Sequence, residues 1–165
     1  MTDGISGSAD TTEDGWITML RGRVSEQMID AVGHVNFLEY HRLAEAATAQ
    51  FWNDITGQRD LLDEGRMTWI LLEAHVTYRS EMRLFDEYHV QMALVAYDAK
   101  RFHILHRIRR DGGDACILET MGACFDEKTR RMAHFASASL GRLAELKLVF
   151  AGYEAYQSGA FRRLV

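Results

Sequence analysis

One segment of the chain combines residues that could carry out acyl transfer. It reads Asp30-Ala-Val-Gly-His-Val-Asn-Phe-Leu-Glu-Tyr, a carboxylate followed by a glycine and a helix start signal. The free N–H groups and the dipole of a helix N-terminus can polarise a carbonyl oxygen and stabilise an oxyanion. A carboxylate beside that carbonyl can act as a nucleophile or activate water. A purely structural role is also open, in which Asp30 ends a strand, Gly33 makes a turn and Asn36 caps a helix.

The helix that would position this segment is predicted from Asn36 to Thr56. Its apolar residues recur at spacings of three and four, as on one face of a helix: Tyr40, Leu43, Ala44, Ala47, Phe51 and Ile55. Asn36 is a favoured N-cap, and Glu39 follows three residues later as in a capping box. Gly57 stands where a left-handed residue commonly ends a helix.

The remaining elements predict an α+β fold. An extended segment spans Gly15 to Ile29, and four strands fill the region from Met67 to Phe125, separated by short turns such as Asp111-Gly-Gly-Asp. We expect an antiparallel meander, followed by a second helix within residues 136–150. A single sheet with one long apolar helix is expected to wrap around that helix. Residues 15–150 would form one domain, between a disordered tail (1–14) and a C-terminal extension (151–165).

Composition limits the classes of function. The 165 residues suit one domain, and 47% hydrophobic with 26% charged residues is typical of a globular protein. A net charge of −5 argues against nucleic-acid binding. No apolar run approaches the length of a transmembrane helix, so no membrane is expected. Hydrophobic residues of both parities in the strand VQMALVAY predict cover by a partner chain, and hence a homo-oligomer.

The two cysteines and the histidines offer no metal or disulfide site. Cys116 and Cys124 would face the same side of one strand about 27 Å apart, too far for a disulfide. Free thiols without a signal peptide predict a reducing, cytoplasmic setting. The histidines lack ligand spacing, and His103 and His106 have opposite parity on their strand. We therefore expect no metal and no cofactor.

The segment D-A-V-G-H-V-N-F-L-E-Y-x-x-x-x-E resembles D-x-x-G-H-V-N-N-x-x-Y-x-x-x-x-E, a signature of the hotdog-fold acyl-CoA thioesterases. It is most similar to the branch that includes 4-hydroxybenzoyl-CoA thioesterase, and the resemblance covers about residues 16–135. The matching positions are Asp30, Gly33, His34, Val35, Asn36, Tyr40 and Glu45. Phe37 departs from the signature, and Glu81-Met82 replace a family proline. The segments LLEAHVTYRSEMRLFDEYHV and YDAKRFHILHRI more weakly resemble betainyl-CoA thioesterases, whose acyl group is small and polar.

The resemblance implies a hotdog thioesterase that hydrolyses a small acyl-CoA to the free acid and coenzyme A. Its active site would lie at the interface of a homodimer, or of a dimer of dimers. Asp30 would be the catalytic carboxylate, as nucleophile or general base. Backbone N–H groups around Val35 to Phe37 would form the oxyanion site, and Gly33 would let the backbone approach the thioester.

The other matching residues have two interpretations each. His34 suits contact with the acyl pocket or the leaving thiol, and equally an ordinary turn histidine. Asn36 is better explained as a helix cap, and Tyr40 as a core residue. Glu45 is either a hydrogen-bonded neighbour of the site or a substrate-binding group.

Coenzyme A is highly anionic and the protein is acidic, so local cations must meet its phosphates. Three basic clusters lie near predicted turns: Lys100-Arg101, Arg107/Arg109/Arg110 and Lys128/Arg130/Arg131. Each also suits a solvated turn. The last is favoured because it adjoins the end of the fourth strand. Strand residues such as Trp69, Leu71, Phe102 and Ile104 would shape the acyl pocket.

Two other functions are possible on this fold. A hotdog hydratase needs an Asp and His pair within a proline-containing motif, and this chain contains no proline. A non-catalytic acyl-CoA binding module would suit a chain that lacks the carboxylate or carries an added DNA-binding domain. Asp30 is present and the N-terminal tail is short, so the enzyme is favoured.

Overall fold

The computed structural model describes residues 10–11, 15–56, 67–147 and 156. Its elements are, in chain order, β1 (Asp10–Thr11), β2 (Ile17–Arg23), a short 3-10 helix (Glu26–Met28), α1 (Phe37–Thr56), β3 (Met67–Tyr78), β4 (Glu87–Tyr97), β5 (Arg101–Arg110), β6 (Gly113–Asp126), β7 (Arg131–Met132) and α2 (Ser137–Lys147). The predicted long helix, four long strands and second helix are confirmed. The predicted stop at Gly57 lies outside the described residues. No described helix is long and apolar enough to cross a membrane.

The strands form one antiparallel sheet in the order β1-β2-β4-β5-β6-β3, with β7 paired to β6. The predicted four-strand meander is wrong at its first strand, because β3 pairs with β6 and not with β4. Both edges of β4 are taken, by β2 and by β5. Residues 79–86 therefore carry the chain from β3, at one edge of the sheet, past β6 and β5 to the position of β4.

The main hydrophobic core lies between α1 and the sheet. The helix buries Tyr40, Ala44, Ala47 and Phe51 there, as the helical spacing predicted. Cys116 and Cys124 are free and buried, in agreement with the prediction that they cannot pair. Burial raises the pKa of Cys116 to about 12 and that of Cys124 to about 11, so both thiols stay protonated and are poor nucleophiles.

The outer face of the sheet has cover from the chain itself. Trp16 is buried with Ala93, Leu105 and Ile117, and Tyr156 packs against this cluster. This contact accounts for some of the apolar residues of β4 that predicted cover by a partner. Tyr156 belongs to the predicted C-terminal extension, while β1 comes from the segment predicted as a disordered tail. The rest of both segments lies outside the described residues.

The strand β3 forms one edge of the sheet. Among the described strands it pairs only with β6, along nearly all of its 12 residues. Apolar side chains are exposed along it: Leu71 is 53% exposed, Leu72 42% and Tyr78 49%. A long edge with exposed apolar side chains invites pairing with another chain.

The helix α1 begins with the predicted N-cap. The Asn36 side-chain oxygen accepts a hydrogen bond from the N–H of Leu38 at 2.9 Å, and its carbonyl accepts one from the N–H of Glu39. The predicted capping box is wrong, since the N–H of Asn36 donates to the carbonyl of Met28. The Glu39 carboxylate instead forms an ion pair with Arg42.

This cap predicts a stability effect that is separate from catalysis. Replacing Asn36 by Ala removes the acceptor for the Leu38 N–H and should lower the free energy of unfolding by about 1 kcal/mol. Asn36→Asp keeps an acceptor and should lie close to wild type. Urea unfolding of the three proteins measures the difference, and an alanine variant as stable as wild type would contradict the cap.

Candidate active site

The segment between the 3-10 helix and α1 folds into a tight loop around Asp30. The N–H of Asp30 donates to the carbonyl of His34 at 2.9 Å, and the N–H of Gly33 donates to the carbonyl of Asp30 at 3.1 Å. Gly33 has a φ of 90°, which favours glycine. The loop therefore holds Asp30 and His34 side by side at the start of the helix.

The Asp30 carboxylate is held in place and still reaches solvent. One oxygen accepts a hydrogen bond from the N–H of Val32 at 2.9 Å, and the other lies 3.4 Å from Nδ1 of His34. The side chain is 24% exposed. His34 Nδ1 also lies 3.4 Å from the carbonyl of Val35. An oriented, accessible carboxylate is what a general base or a nucleophile requires.

Hydrogen bonds narrow the set of N–H groups that could bind an oxyanion. The N–H of Val35 donates to the carbonyl of Met82 at 2.8 Å, and that of Asn36 donates to Met28 at 2.9 Å. The N–H of Leu38 donates to the side-chain oxygen of Asn36, and the N–H of Glu39 donates to its carbonyl. Within the described part of the chain, the N–H of Phe37 has no partner. Of the three predicted donors, Phe37 is thus the one free to bind an oxygen.

A cavity of about 370 Å³ lies between α1 and the strands β3, β5 and β6. This volume lies within the range of ligand pockets. Trp69, Leu71 and Phe102 line the cavity, as parity suggested, whereas Ile104 is buried in the core and does not. Asp30 is not part of the cavity wall.

Two further residues of the signature lie along α1. Glu45 lines the cavity, but it stands eight residues beyond Phe37, or about 12 Å along the helix. The structure therefore does not bring Glu45 to Asp30 within one chain. Tyr40 is buried, and its hydroxyl accepts a hydrogen bond from the N–H of Met82 at 3.3 Å. Burial raises the pKa of Tyr40, and its packing agrees with the core interpretation.

The cavity also contains a histidine that sequence reasoning did not select. His106 is buried, with Nε2 2.8 Å from the hydroxyl oxygen of Thr48. Burial lowers the pKa of His106 to about 4, so the ring is neutral at physiological pH. His103 lies on the opposite face of β5, 2.9 Å from Glu119, as parity predicted. The alternation of side chains along a strand predicts which face of the sheet His106 lies on, but it does not predict that a cavity lies beside this residue.

The favoured basic cluster lies far from Asp30 in the same chain. Lys128, Arg130 and Arg131 are exposed beside the end of β6, where Asp126 pairs with Met67. The Asp30 loop lies at the other end of β3, where Tyr40 packs on Tyr78 at 5.5 Å. These two ends of β3 are roughly 35 Å apart.

Comparisons with known proteins identify the family and the fold of the chain. The family model described as the thioesterase-like superfamily matches residues 24–145. The chain belongs to this superfamily, and its class, a thioester hydrolase, is the one that the resemblance implied. No curated protein matches the sequence.

Solved structures share the fold. A hypothetical protein from Staphylococcus aureus, solved in complex with CoA, superposes with a TM-score of 0.77 at 21% identity, covering 96% of this chain and 99% of that one. A candidate thioesterase from Pseudomonas putida has a TM-score of 0.75 at 26% identity, covering 90% and 96%. A 1,4-dihydroxy-2-naphthoyl-CoA thioesterase from Synechocystis has a TM-score of 0.67 at 16% identity, covering 79% and 97%. The predicted hotdog fold is confirmed.

The buried His106 predicts how stability depends on pH. A histidine titrates near 6.5 in the unfolded chain, whereas burial lowers the pKa of His106 to about 4 in the folded protein. Between these values the unfolded state binds more protons, so this stability is complete above about pH 6.5 and is lost as the pH falls towards 4. The loss from this group should be about 3 kcal/mol.

The variant His106→Gln isolates this effect, because glutamine can still reach Thr48 but does not titrate. Urea unfolding at neutral pH and near pH 4 should show a smaller pH dependence for the variant. Some dependence should remain, since burial also lowers the pKa of His103. Identical pH dependence in both proteins would contradict the assignment.

Proposed function

We propose that this protein is an acyl-CoA thioesterase that hydrolyses a small acyl-CoA to the free acid and coenzyme A. The observation that carries the proposal is that one short segment, from Asp30 to the start of α1, holds an oriented, partly exposed carboxylate and the N–H of Phe37, which has no partner among the described residues. Membership of the thioesterase-like superfamily supports it. Two free cysteines are compatible with a reducing, cytoplasmic setting.

In this proposal the N–H of Phe37, at the positive end of α1, binds the thioester carbonyl oxygen. As a general base, Asp30 takes a proton from water while the water oxygen attacks the carbonyl carbon. The tetrahedral intermediate then breaks its C–S bond, and the thiolate takes the proton from Asp30. As a nucleophile, Asp30 would instead form an anhydride, expel the thiolate, and be released by water.

For the acyl group of the substrate, we propose only its general class, a small acyl group. The signature suits the branch with 4-hydroxybenzoyl-CoA thioesterase, and a weaker resemblance points to betainyl-CoA. A cavity of about 370 Å³ with the aromatic side chains of Trp69 and Phe102 in its wall is compatible with a small acyl group. We favour this cavity as the acyl site because its wall includes Leu38, next to Phe37 in the chain.

The proposal includes a homodimer formed through β3. One edge of β3 is unpaired among the described strands, and this edge together with the exposed Leu71 and Leu72 suits antiparallel pairing with the same strand of a second copy. Such a two-fold axis would bring the basic residues Lys128 and Arg131 of one copy towards Asp30 of the other. The phosphates of coenzyme A would then bind to the second copy.

The first test is Asp30→Asn. The amide cannot accept a proton from water or attack the thioester, so hydrolysis, followed as thiol release, should fall at least about a hundredfold. Affinity for free coenzyme A and the urea midpoint should stay close to wild type. Asp111→Asn, in the exposed β5–β6 turn, is the matched control and should retain full activity.

Three results of this test have distinct meanings. Equal rates for Asp30→Asn and wild type would remove the carboxylate from the mechanism. Binding of acyl-CoA without turnover in the wild type would favour the non-catalytic binding module. Hydration of an enoyl-CoA without thiol release would favour the hydratase.

The second test asks whether two copies share a site. Asp30→Asn and the double variant Lys128→Glu/Arg131→Glu should each be poor enzymes at low substrate, the second through a raised KM. Randomly mixed dimers should recover about one quarter of wild-type activity, because half are mixed and each mixed dimer has one intact site of two.

No recovery on mixing would mean that both groups serve the same chain, or that the basic turn has no role. Arg142→Glu, a charge reversal on the exposed surface of α2, is the control for loss of charge alone. Full activity of the double variant before mixing would overturn the CoA-binding role of Lys128 and Arg131.

A further inference from the structure

The acyl cavity follows α1 from its first turn. Leu38, beside the Phe37 amide, and Thr48 both line it, and they stand ten positions apart, or about 15 Å along the helix. The end at Leu38 is therefore near the proposed oxyanion donor, and the end at Thr48 is remote from it. An acyl chain held with its carbonyl at Phe37 would extend towards Thr48.

An aromatic ring stands beside the remote end. Phe102 lines the cavity, and its ring centroid lies 5.0 Å from that of Trp52, one helical turn beyond Thr48. Trp52 stacks on Phe135 at 5.3 Å, and neither of these two rings forms part of the cavity wall. Phe102 thus separates the cavity from the aromatic pair Trp52 and Phe135.

The position of the Phe102 ring depends on a glycine. Gly122 is the cross-strand partner of Phe102 on β6, and a Cβ atom at Gly122 would overlap the Phe102 ring. The ring therefore lies directly over the backbone of Gly122. Any side chain at Gly122 would push this ring away from the sheet, on the side where the cavity lies.

We propose that Phe102, seated on Gly122, is the residue that limits acyl chain length in this enzyme. This rests on the proposed function, in which the acyl group occupies the cavity along α1. At the remote end, Nε2 of His106 bonds to the Thr48 hydroxyl, which also donates to the Ala44 carbonyl, while Nδ1 of His106 has no hydrogen-bond partner in the described part of the chain. The ligand class is an acyl-CoA whose tail is apolar, whether aliphatic or aromatic, because the end of the tail meets the apolar Phe102 ring.

The test uses two substitutions with opposite effects. Phe102→Ala removes the ring and should extend the longest straight-chain acyl-CoA that is efficiently hydrolysed by two or more carbons. The first chain beyond the wild-type limit should gain at least about tenfold in kcat/KM relative to the shortest substrates. Gly122→Ala should shift the limit towards shorter chains.

The control is Ile104→Ala. Ile104 lies two residues from Phe102 on the same face of β5 and is fully buried, but it does not line the cavity. Its truncation should lower the free energy of unfolding as much as Phe102→Ala does, without moving the length limit. Phe102→Leu provides a milder variant in case the alanine variant does not fold.

A second readout separates this inference from the proposed function. Affinities of non-hydrolysable S-alkyl-CoA thioethers of increasing length are measured for each variant. A length limit that moves in binding while no thioester is hydrolysed would support Phe102 and overturn the thioesterase. Hydrolysis with the same length limit in wild type, Phe102→Ala and Phe102→Leu would overturn the inference alone. If the protein neither binds the thioethers nor hydrolyses thioesters, both the inference on Phe102 and the proposed function are overturned.

Discussion

The satisfaction of backbone donors at the start of α1 is the constraint on which the rest of the site depends. A helix leaves its first N–H groups without partners in the preceding turn, and here Asn36 accepts hydrogen bonds from those of Leu38 and Glu39. The N–H groups just before the helix also have partners. Met28 takes the N–H of Asn36, and Met82 takes that of Val35. Of the N–H groups of Val35, Asn36 and Phe37, that of Phe37 alone has no partner in the described part of the chain, and it is the donor that the proposed mechanism assigns to the thioester oxygen.

The path of the chain follows from the same contacts. Residues 79–86 must cross the sheet because β4 is already paired on both edges, and they cross next to the helix start. There Met82 is buried and bonded to both Val35 and the Tyr40 hydroxyl. The position where the resembled family carries a proline is thus held here by hydrogen bonds and burial.

Local patterns predicted the elements well, and non-local pairings poorly. The spacing of Tyr40, Ala44, Ala47 and Phe51 depends on one face of one helix, which a sequence records directly. The choice of β6 as the neighbour of β3 depends on which edges are free, and no local signal records that. The capping box failed for a similar reason, because Met28, eight residues upstream, had already satisfied the Asn36 donor.

The candidate site shows the same division. Asp30, Gly33 and the cap were found from the signature, whereas the cavity and His106 depend on the distance between a helix and three strands.

The groups that the proposed reaction needs lie apart within a single chain. Asp30 lies outside the cavity wall, and the basic turn at Lys128 lies at the far end of β3. Antiparallel pairing of two β3 edges would cover the exposed Leu71 and Leu72 and would join opposite ends of the two sheets. In the proposed homodimer, a second copy would therefore meet the needs of stability and of substrate binding with the same contact.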